Sequence, residues 1–375
     1  MDFYAKVLPQ VEGKDYQILV EGTVKGRTCT GWKLMDVHPI SLVSISDDAP
    51  SRISHETITW LHLSDLHFRI GSQYDSRIVL NALLRDVADM MHGKGLSPNF
   101  IAITGDISFS GNPDEYQQAK EFLDDLLEST GLTKERLFVV PGNHDVDRSV
   151  ISTSTLSAAA ASTLQDRKMV NHFLGNPSDR KLVFQRLRNY ADFVNDYFGP
   201  VLSFDDDHYY YVKHLTIGSQ KIAILGLNSA WLCGSDMDQN KILIGERQVR
   251  TALDQSAEAS IRVALVHHPF DWLKEFDRND SEQLLTSSCD FVLHGHLHQT
   301  GVHQLSSPDS SATIIAAGAS YENRDYPNAY NFVQLSPQSG KVILRRYSDT
   351  SPGFWSSDTL TYKNAENGTF TFRLK

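Results

Sequence analysis

Residues 58–67, ITWLHLSDLH, combine the two features on which the rest of the interpretation depends: an apolar, strand-like run, and an Asp and a His directly after it. Apolar residues then recur at helical spacing over residues 75–92, and Gly93 and Gly95 end that pattern. A second apolar run, NFIAIT, returns to strand character. Strand, helix and strand in this order predict an α/β organisation with buried sheets.

The alternation continues downstream. A helix is predicted over residues 113–129, with Pro at its first position and acidic residues in its first turn. Further strands are predicted for LFVV, HYYYVKHLTI, KIAILGL, IRVALV, DFVLHG and ATIIAAG, and further helices for residues 178–198, 246–259 and 281–288.

Three regions follow from these patterns. Residues 1–55 are rich in Val, Ile, Thr and Trp with interspersed Gly, which predicts a short β-rich extension. Residues 56–330 form the main domain, with a helical insertion at about 147–205. Residues 331–375 alternate in β fashion, and we expect this tail to pack on the main domain.

Composition excludes some classes of protein. The 375 residues include 46 acidic and 35 basic side chains, so 35 − 46 gives a net charge of −11, which argues against a basic nucleic-acid coat or a binder of anionic membranes. The three cysteines are far apart, which disfavours a disulfide framework or a thiolate zinc finger. No apolar run approaches the roughly 18 residues that cross a bilayer, and the N-terminus has no apolar signal segment, so we expect a cytoplasmic protein without membrane contact.

Five segments place a potential metal ligand directly after an apolar strand. They are Asp65 and His67 in LHLSDLH, Asp106 in IAITGD, Asn143 and His144 in FVVPGNHD, His267 in VALVHHP, and His296 and His298 in FVLHGHLH. Because sites in α/β proteins assemble at the carboxyl ends of strands, we expect these side chains to converge on one crevice.

The residue types indicate divalent transition metals. Carboxylate oxygen, amide oxygen and imidazole nitrogen suit Mn, Fe or Zn, with Mn favoured here. Asp65 with His67, and His296 with His298, are i, i+2 pairs, which point to one side of an extended segment. These candidate ligands are too many for one tetrahedral ion and suit two ions that share a carboxylate, about 3.5–4 Å apart.

The string DxH…GD…GNHD…H…GHxH resembles the calcineurin-like metallophosphoesterase superfamily over about residues 57–325. The resemblance implies a four-layer α/β/β/α sandwich of two mixed sheets with a dimetal site at the strand ends. It also implies a role for each candidate residue: Asp65, His67 and His298 hold one metal, Asn143, His267 and His296 hold the other, Asp106 bridges them, and His144 is a catalytic histidine that does not bind metal.

Some details separate this chain from particular branches of the superfamily. The segment GDISFSG, residues 105–111, stands where the protein Ser/Thr phosphatases carry GDxxDRG, which weakens a protein-phosphatase interpretation. Purple acid phosphatases use a Tyr ligand beside the second Asp, and no Tyr follows Asp106 closely. GDISFSG, EYQQAKEFL, VPGNHDVDR and LNSAW are similar to bacterial metallophosphoesterases, including modules found beside signalling or defence effectors.

Several neighbouring residues have competing interpretations. His267 and His268 compete for one ligand position, and the family pattern favours His267. His294 is expected to support the site or the core rather than to bind metal. Asp145 is expected to orient His144 or the surrounding loop, with an ordinary turn residue as the alternative. Arg148 is expected to form an exposed salt bridge, with a phosphate contact as the alternative.

The resemblance implies a metal-dependent phosphoric ester hydrolase, most simply a phosphodiesterase acting on a nucleotide or another small diester. Two M²⁺ ions (+4), Asp65 and Asp106 (−2) and a bridging hydroxide (−1) leave about +1, which suits an anionic phosphoryl group attacked by that hydroxide. The alternatives are a DNA or RNA nuclease of the same superfamily that works with a partner protein, and a nucleotide-sensing module in a bacterial signalling or defence system. Substrate-binding residues, a protein partner and an oligomeric state are left open.

Overall fold

The computed structural model describes residues 3–6, 19–24, 27–31, 57–153, 159–160 and 162–374. The chain forms two compact units, Met1–Ser54 and His55–Lys375. In the first unit, β1 (Phe3–Lys6), β2 (Leu19–Val24) and β3 (Arg27–Gly31) form an antiparallel sheet in the order β1-β2-β3. These strands lie in the segment predicted to be β-rich, and much of the remainder of that segment lies outside the described residues.

The second unit begins with alternating strands and helices. These are β4 (Ile58–Leu63), α1 (Gln73–Lys94), β5 (Phe100–Ile103), α2 (Pro113–Thr130) and β6 (Leu137–Val139), followed by the helices α3 (Arg148–Thr153), α4 (Arg167–Gly175), α5 (Pro177–Phe184) and α6 (Arg188–Phe198). None of the helices among the described residues is long and apolar enough to cross a membrane.

A second set of strands and helices completes this unit. It contains β7 (Tyr211–Ile217), β8 (Gln220–Gly226), α7 (Glu246–Gln255), β9 (Ile261–Leu265), α8 (Glu275–Ser288), β10 (Phe291–His294), β11 (Gly301–Ser306), β12 (Ser311–Ala316), β13 (Ala329–Ser336), β14 (Ser339–Ser348), β15 (Phe354–Ser357) and β16 (Thr369–Arg373). Helix α8 begins six residues before the predicted position, because its first turns are mostly charged and hide the helical period.

Two mixed sheets form from these strands. One has the order β15-β14-β13-β4-β5-β6, with β16 also paired to β14, and β4, β5 and β6 run parallel. The other has the order β11-β12-β10-β9-β8-β7, and β8, β9, β10 and β12 run parallel. The tail strands β13 and β14 therefore extend the same sheet as β4.

The two sheets pack face to face. Trp60 of β4 stacks on Phe100 of its own sheet at 5.4 Å between ring centroids and meets Phe291 of the other sheet edge-on at 5.2 Å. Residues of the opposite parity, such as Leu61 and Leu63, face a second core that includes the helices. Since alternate side chains of a strand point to opposite faces, each sheet is covered on both sides. The predicted α/β/β/α arrangement is confirmed.

Helices α3–α6 lie between β6 and β7, in the segment predicted as a helical insertion. The predicted helix over residues 178–198 is two helices, α5 and α6, separated by a 3₁₀ turn at Gln185–Leu187. Helix α6 packs on α2, where the Phe193 and Tyr116 rings stack at 4.8 Å. The insertion thereby becomes part of the main core.

Candidate dimetal centre

The loops that follow the parallel strands converge at one end of the sandwich. Backbone hydrogen bonds join the first two loops: Asp65 N donates to Gly105 O at 3.0 Å, and His67 N donates to Asp106 O at 3.0 Å. A link between the sheets comes from His267, whose Nδ1 donates to Thr104 O at 2.7 Å. All five segments singled out in the sequence meet here, as expected for carboxyl ends of parallel strands.

The backbone at five of these residues is left-handed. Their φ angles are 52° at Asp65, 45° at His67, 52° at Asp106, 71° at His296 and 55° at His298. Only two other non-glycine residues among those described have positive φ. The i, i+2 pairs therefore do not lie on extended segments, contrary to our expectation. Such conformations cost of order 1–3 kcal/mol each and cluster at functional sites, where surrounding structure holds them.

Asp106 lies between the two groups of ligands. Its Oδ1 accepts a hydrogen bond from His144 N at 2.7 Å. Its Oδ2 faces His267 Nε2 at 3.1 Å and His67 Nε2 at 3.5 Å. Burial opposes ionisation of Asp106, but the charges of the nearby histidines hold the pKa of this carboxyl well below its usual range. One carboxylate oxygen thus faces both sides of the centre, which is the geometry that a bridging ligand requires.

The remaining candidates fall into two groups around Asp106. On one side, Asp65 Oδ1 is buried without a hydrogen-bond partner and lies 3.2 Å from His298 Nε2. On the other side, Asn143 Oδ1 lies 3.0 Å from His267 Nε2 and 2.9 Å from His296 Nδ1. The structure thus brings Asp65 and His298 together at one place, and Asn143, His267 and His296 together at another.

The hydrogen bonds of two imidazoles direct their Nε2 atoms toward oxygen atoms of the centre. His67 Nδ1 donates to Glu322 Oε2 at 2.7 Å, and His267 Nδ1 donates to Thr104 O, so in each neutral ring Nε2 carries the lone pair. These lone pairs face carboxylate and amide oxygens. Burial opposes protonation, yet the carboxylates outweigh it and raise the pKa of His67 to about 10 and that of His267 to about 9.

The donor set therefore fits divalent cations. A metal ion would replace the protons that the carboxylates otherwise attract. Asp65 Oδ1, which has no hydrogen-bond partner, would then serve as a ligand of that ion. Oxygen and imidazole donors suit Mn, Fe or Zn. In the described part of the chain, four groups of three His or Asp donors lie within 4.8 Å of one another. One of them joins His268 to His267 and His296, so spacing alone does not choose between the two adjacent histidines.

Two positions of the centre require glycine because other atoms approach the backbone closely, not because the backbone adopts a positive φ angle. A Cβ at Gly142 would lie 2.1 Å from Asp106 Oδ1, and a Cβ at Gly295 would lie 1.8 Å from Ser64 Oγ. Neither glycine has a positive φ. A Cβ at Gly295 would also lie 2.6 Å from Asp65 Oδ2, so the glycines at these two positions leave room for Asp106 and Asp65.

His144 sits beside the ligands, with its ring held from outside. Its Nδ1 donates to Phe109 O at 2.7 Å, and its ring stacks on that of Phe109 at 5.0 Å. Asp145 points away from His144: its carboxylate accepts hydrogen bonds from the backbone N–H of Ile107, Ser108 and Gly142. Of the interpretations weighed for Asp145, orientation of the loop is the one that the contacts support.

The other histidines of the motifs have different partners. His268 Nδ1 lies 2.8 Å from Ser229 Oγ, and its Nε2 lies 3.6 Å from Cys233 Sγ. His294 Nδ1 donates to Gly295 O at 3.1 Å. Arg148 forms an exposed salt bridge with Asp236 at 2.7 Å, as expected.

Sequence reasoning missed Glu322 and Arg69. Glu322 accepts from His67 through Oε2 and from Arg69 Nη2 through Oε1 at 3.0 Å. The Arg69 guanidinium lies 3.7 Å from the centroid of the Phe109 ring. Glu322 follows no motif strand, and no pattern in the sequence points to it. Arg69 is two residues after His67, and that proximity was the only available signal.

The sequence profile of the calcineurin-like phosphoesterases matches residues 58–300. The chain belongs to this family. The resemblance drawn from the five motifs is thereby confirmed. The matched range runs from β4 to the loop after β10 and includes every predicted ligand.

Two relatives extend the comparison. The metallophosphoesterase-like protein YydB of Bacillus subtilis is 22% identical over 326 residues, which cover 84% of this chain and 65% of that protein. The glycerophosphodiester phosphodiesterase GpdQ of Enterobacter lignolyticus is 35% identical over 85 residues, 22% of this chain and 28% of that protein. The chain therefore spans less than two thirds of either relative.

Solved structures show weaker likeness. A dimetal phosphatase from Danio rerio is 15% identical, with a TM-score of 0.45 over 77% of this chain and 96% of that one. PhoD is 12% identical, with a TM-score of 0.49 over 85% of this chain and 70% of that one. With both TM-scores below 0.5, we assign the fold from the sheet order and the family match.

Proposed function

We propose that this chain is a phosphodiesterase that hydrolyses nucleotide-type phosphodiester bonds with two divalent transition-metal ions, Mn²⁺ being favoured. The observation that carries the proposal is the position of Asp106 Oδ2, which faces His267 Nε2 at 3.1 Å and His67 Nε2 at 3.5 Å. Asp65, His67 and His298 would hold one ion, and Asn143, His267 and His296 would hold the other. When bound, such ions make a water nucleophilic near neutral pH and neutralise charge on the phosphoryl oxygens.

The residues of the chain supply orientation and proton transfer. Because His144 Nδ1 already donates to Phe109 O, Nε2 is the ring nitrogen left for the substrate. From that atom His144 donates a proton to the leaving oxygen, a contribution that is typically about 10²–10⁴-fold in rate. Asp145 keeps the loop that carries His144 in place through its three backbone hydrogen bonds.

Charge favours a diester over a monoester. The two arginines that follow the first and third motif loops, Arg69 and Arg148, are ion-paired with Glu322 and Asp236. A diester carries one negative charge and a monoester up to two, so a centre with a small net positive charge suits the diester. GpdQ, a glycerophosphodiester phosphodiesterase with 35% identity over 85 residues, supports this choice.

A comparison of substrates and metal content tests the proposal. Mn²⁺-loaded protein is expected to hold two ions and to hydrolyse bis-p-nitrophenyl phosphate faster than p-nitrophenyl phosphate. Asp106→Ala is expected to lose both activity and metal, whereas Asp125→Ala, a change at an exposed position of α2, is expected to retain both.

Three outcomes would contradict it. Full activity with one or no tightly bound ion would remove the dimetal assignment. Turnover of single- or double-stranded DNA alone would favour a nuclease. Nucleotide binding without turnover of any ester would favour a sensing module.

A further inference from the structure

Each partly exposed imidazole of the centre has an aromatic side chain against it. Phe109 stacks on His144 at 5.0 Å between centroids with an interplanar angle of 24°. Trp272 meets His296 at 3.9 Å and 79°. Tyr326 meets His298 at 6.0 Å and 88°. We call these three residues, Phe109, Trp272 and Tyr326, the aromatic rim.

The aromatic rim is built from three separate parts of the fold. Phe109 lies between β5 and α2, Trp272 in the 3₁₀ turn Phe270–Trp272, and Tyr326 between β12 and β13. All three side chains are partly exposed, Phe109 by 36%. By contrast, the imidazoles of His67 and His267 are buried. The rings are therefore placed where a group attached to the phosphate would leave the centre.

Two exposed apolar side chains and one ion-paired cation lie near the rim. Ile70 and Leu297, each within three residues of a proposed ligand, are exposed by 57% and 44%. Arg69, the cation on the Phe109 ring, is paired with Glu322. An uncharged, flat group gains stacking and dispersion energy in such surroundings, and aromatic side chains stack on any planar heterocycle.

We infer that the aromatic rim binds a planar aromatic ring, of the nucleobase type, carried by an ester group of the substrate. This inference rests on the proposed phosphodiesterase function and adds the recognition of the group that stays on phosphorus. Phe109 also holds His144, so Trp272 and Tyr326, which do not contact His144, are the clearer probes.

Two diesters with one leaving group test the inference. Thymidine 5′-(p-nitrophenyl phosphate) and ethyl p-nitrophenyl phosphate both release p-nitrophenol and differ only in the retained ester group. The kcat/KM of the wild type is expected to favour the nucleoside ester by roughly 5- to 100-fold, the range of stacking on one or two rings. Hexyl p-nitrophenyl phosphate separates stacking from general apolar contact and is expected to fall well below the nucleoside ester.

Variants then assign the preference to the rim. Trp272→Leu and Tyr326→Leu are expected to lower the ratio between the nucleoside and ethyl esters several-fold each, whereas Trp272→Phe and Tyr326→Phe keep a ring and retain most of it. A general loss of activity lowers kcat/KM for both esters and therefore leaves the ratio between them unchanged. Phe354→Leu, a change at an exposed aromatic residue of β15, is the control and leaves the ratio unchanged.

The possible failures are distinguishable. Three results would overturn the inference and leave the phosphodiesterase function intact. The wild type could hydrolyse the nucleoside and ethyl esters with similar kcat/KM, or the hexyl ester as well as the nucleoside ester. Alternatively, the preference for the nucleoside ester could persist in both Leu variants. If neither ester is hydrolysed, the phosphodiesterase function fails. Calorimetry with thymidine 5′-monophosphate and ethyl phosphate then decides the inference, since equal affinities, or no effect of Trp272→Leu, would contradict it.

Discussion

Glu322 accepts a hydrogen bond from Nδ1 of His67 at 2.7 Å, although the two residues are 255 positions apart in the chain. The same Glu322 oxygen lies 3.8 Å from Nδ1 of His298, and the other oxygen accepts from Arg69. The hydrogen bond from His67 lowers the pKa of Glu322 to about 2. One ionised carboxylate therefore lies close to both imidazoles that we propose for the same metal ion, and its hydrogen bond fixes the orientation of the His67 ring.

Replacement of Glu322 by Gln is expected to lower the affinity for one of the two metal ions selectively. Loss of an outer carboxylate that orients a ligating imidazole typically reduces metal affinity about 10–100-fold. The ion held by Asn143, His267 and His296 keeps its own support from Thr104 O and should be retained. Isothermal titration with Mn²⁺, together with elemental analysis, measures the two affinities separately.

Glu121→Gln is the control for this experiment, because Glu121 is an exposed residue of α2. Unchanged affinity for both ions in Glu322→Gln would show that the contact with His67 has no role in metal binding. An equal loss of both ions would show that Glu322 supports the whole centre rather than one side.

Alanine substitutions of the adjacent residues His267 and His268 are expected to differ in their effects on metal content and activity. His267 Nε2 faces Asp106 and Asn143, so His267→Ala should lose one ion and the activity. The two ring nitrogens of His268 face Ser229 Oγ and Cys233 Sγ, so His268→Ala should keep both ions but lower the stability of the fold. Metal content and activity of the two variants are the measurements. If the two effects were exchanged, the ligand assignment in this motif would be shifted by one residue.

His144→Ala is expected to keep its metal content and to lose turnover in a manner that depends on the leaving group. A p-nitrophenolate leaves without a proton, whereas a ribose alkoxide needs one, so the loss in kcat/KM should be larger for the unactivated diester. If His144→Ala lowered kcat/KM equally for both diesters, His144 would bind a phosphoryl oxygen instead of donating a proton. Loss of metal would indicate a ligand.

A buried acid outside the centre gives a prediction for stability. Asp277 on α8 is 2% exposed and accepts hydrogen bonds from the backbone N–H of Ile244 and Gly245. Burial, opposed by those hydrogen bonds, raises the pKa of Asp277 to about 7. The folded state then retains a proton between about pH 4 and 7 that the unfolded chain releases, so this residue lowers stability as pH rises through that window.

Asp277→Asn removes the ionisation, and its stability relative to the wild type is therefore expected to increase with pH across the window, by up to about 1.4 kcal/mol per pH unit. Urea denaturation of both proteins at several pH values between 4.5 and 8 measures the difference. The metal centre is identical in both proteins, so the difference isolates Asp277. A difference that does not change with pH would contradict the raised pKa.

The sequence was sufficient for the fold class because its signals are local. An apolar run such as residues 58–63 followed by a helical period is visible in one window, and residues 65, 106, 143, 267 and 296 each come shortly after such a run. Parallel strands carry their carboxyl ends to one edge, so convergence of these residues followed from topology without any coordinates.

Other features have no local signal. Whether the backbone at Asp65 or His298 is extended or left-handed depends on the loops packed around it, and an i, i+2 spacing alone suggested the wrong conformation. The orientation of Asp145 depends on N–H groups of the preceding motif loop, which no pattern within GNHD specifies.

By itself, then, the sequence determined the α/β architecture, the metallophosphoesterase family and the set of residues that meet at the centre, since these depend on short-range patterns and on the order of motifs. Only the tertiary structure decided that Glu322 backs His67, that Asp106 directs one oxygen to both ligand groups, and that Phe109, Trp272 and Tyr326 surround the exposed imidazoles. Those relationships join residues separated by tens to hundreds of positions, and strand pairing within each sheet together with packing between the sheets brings them within contact distance.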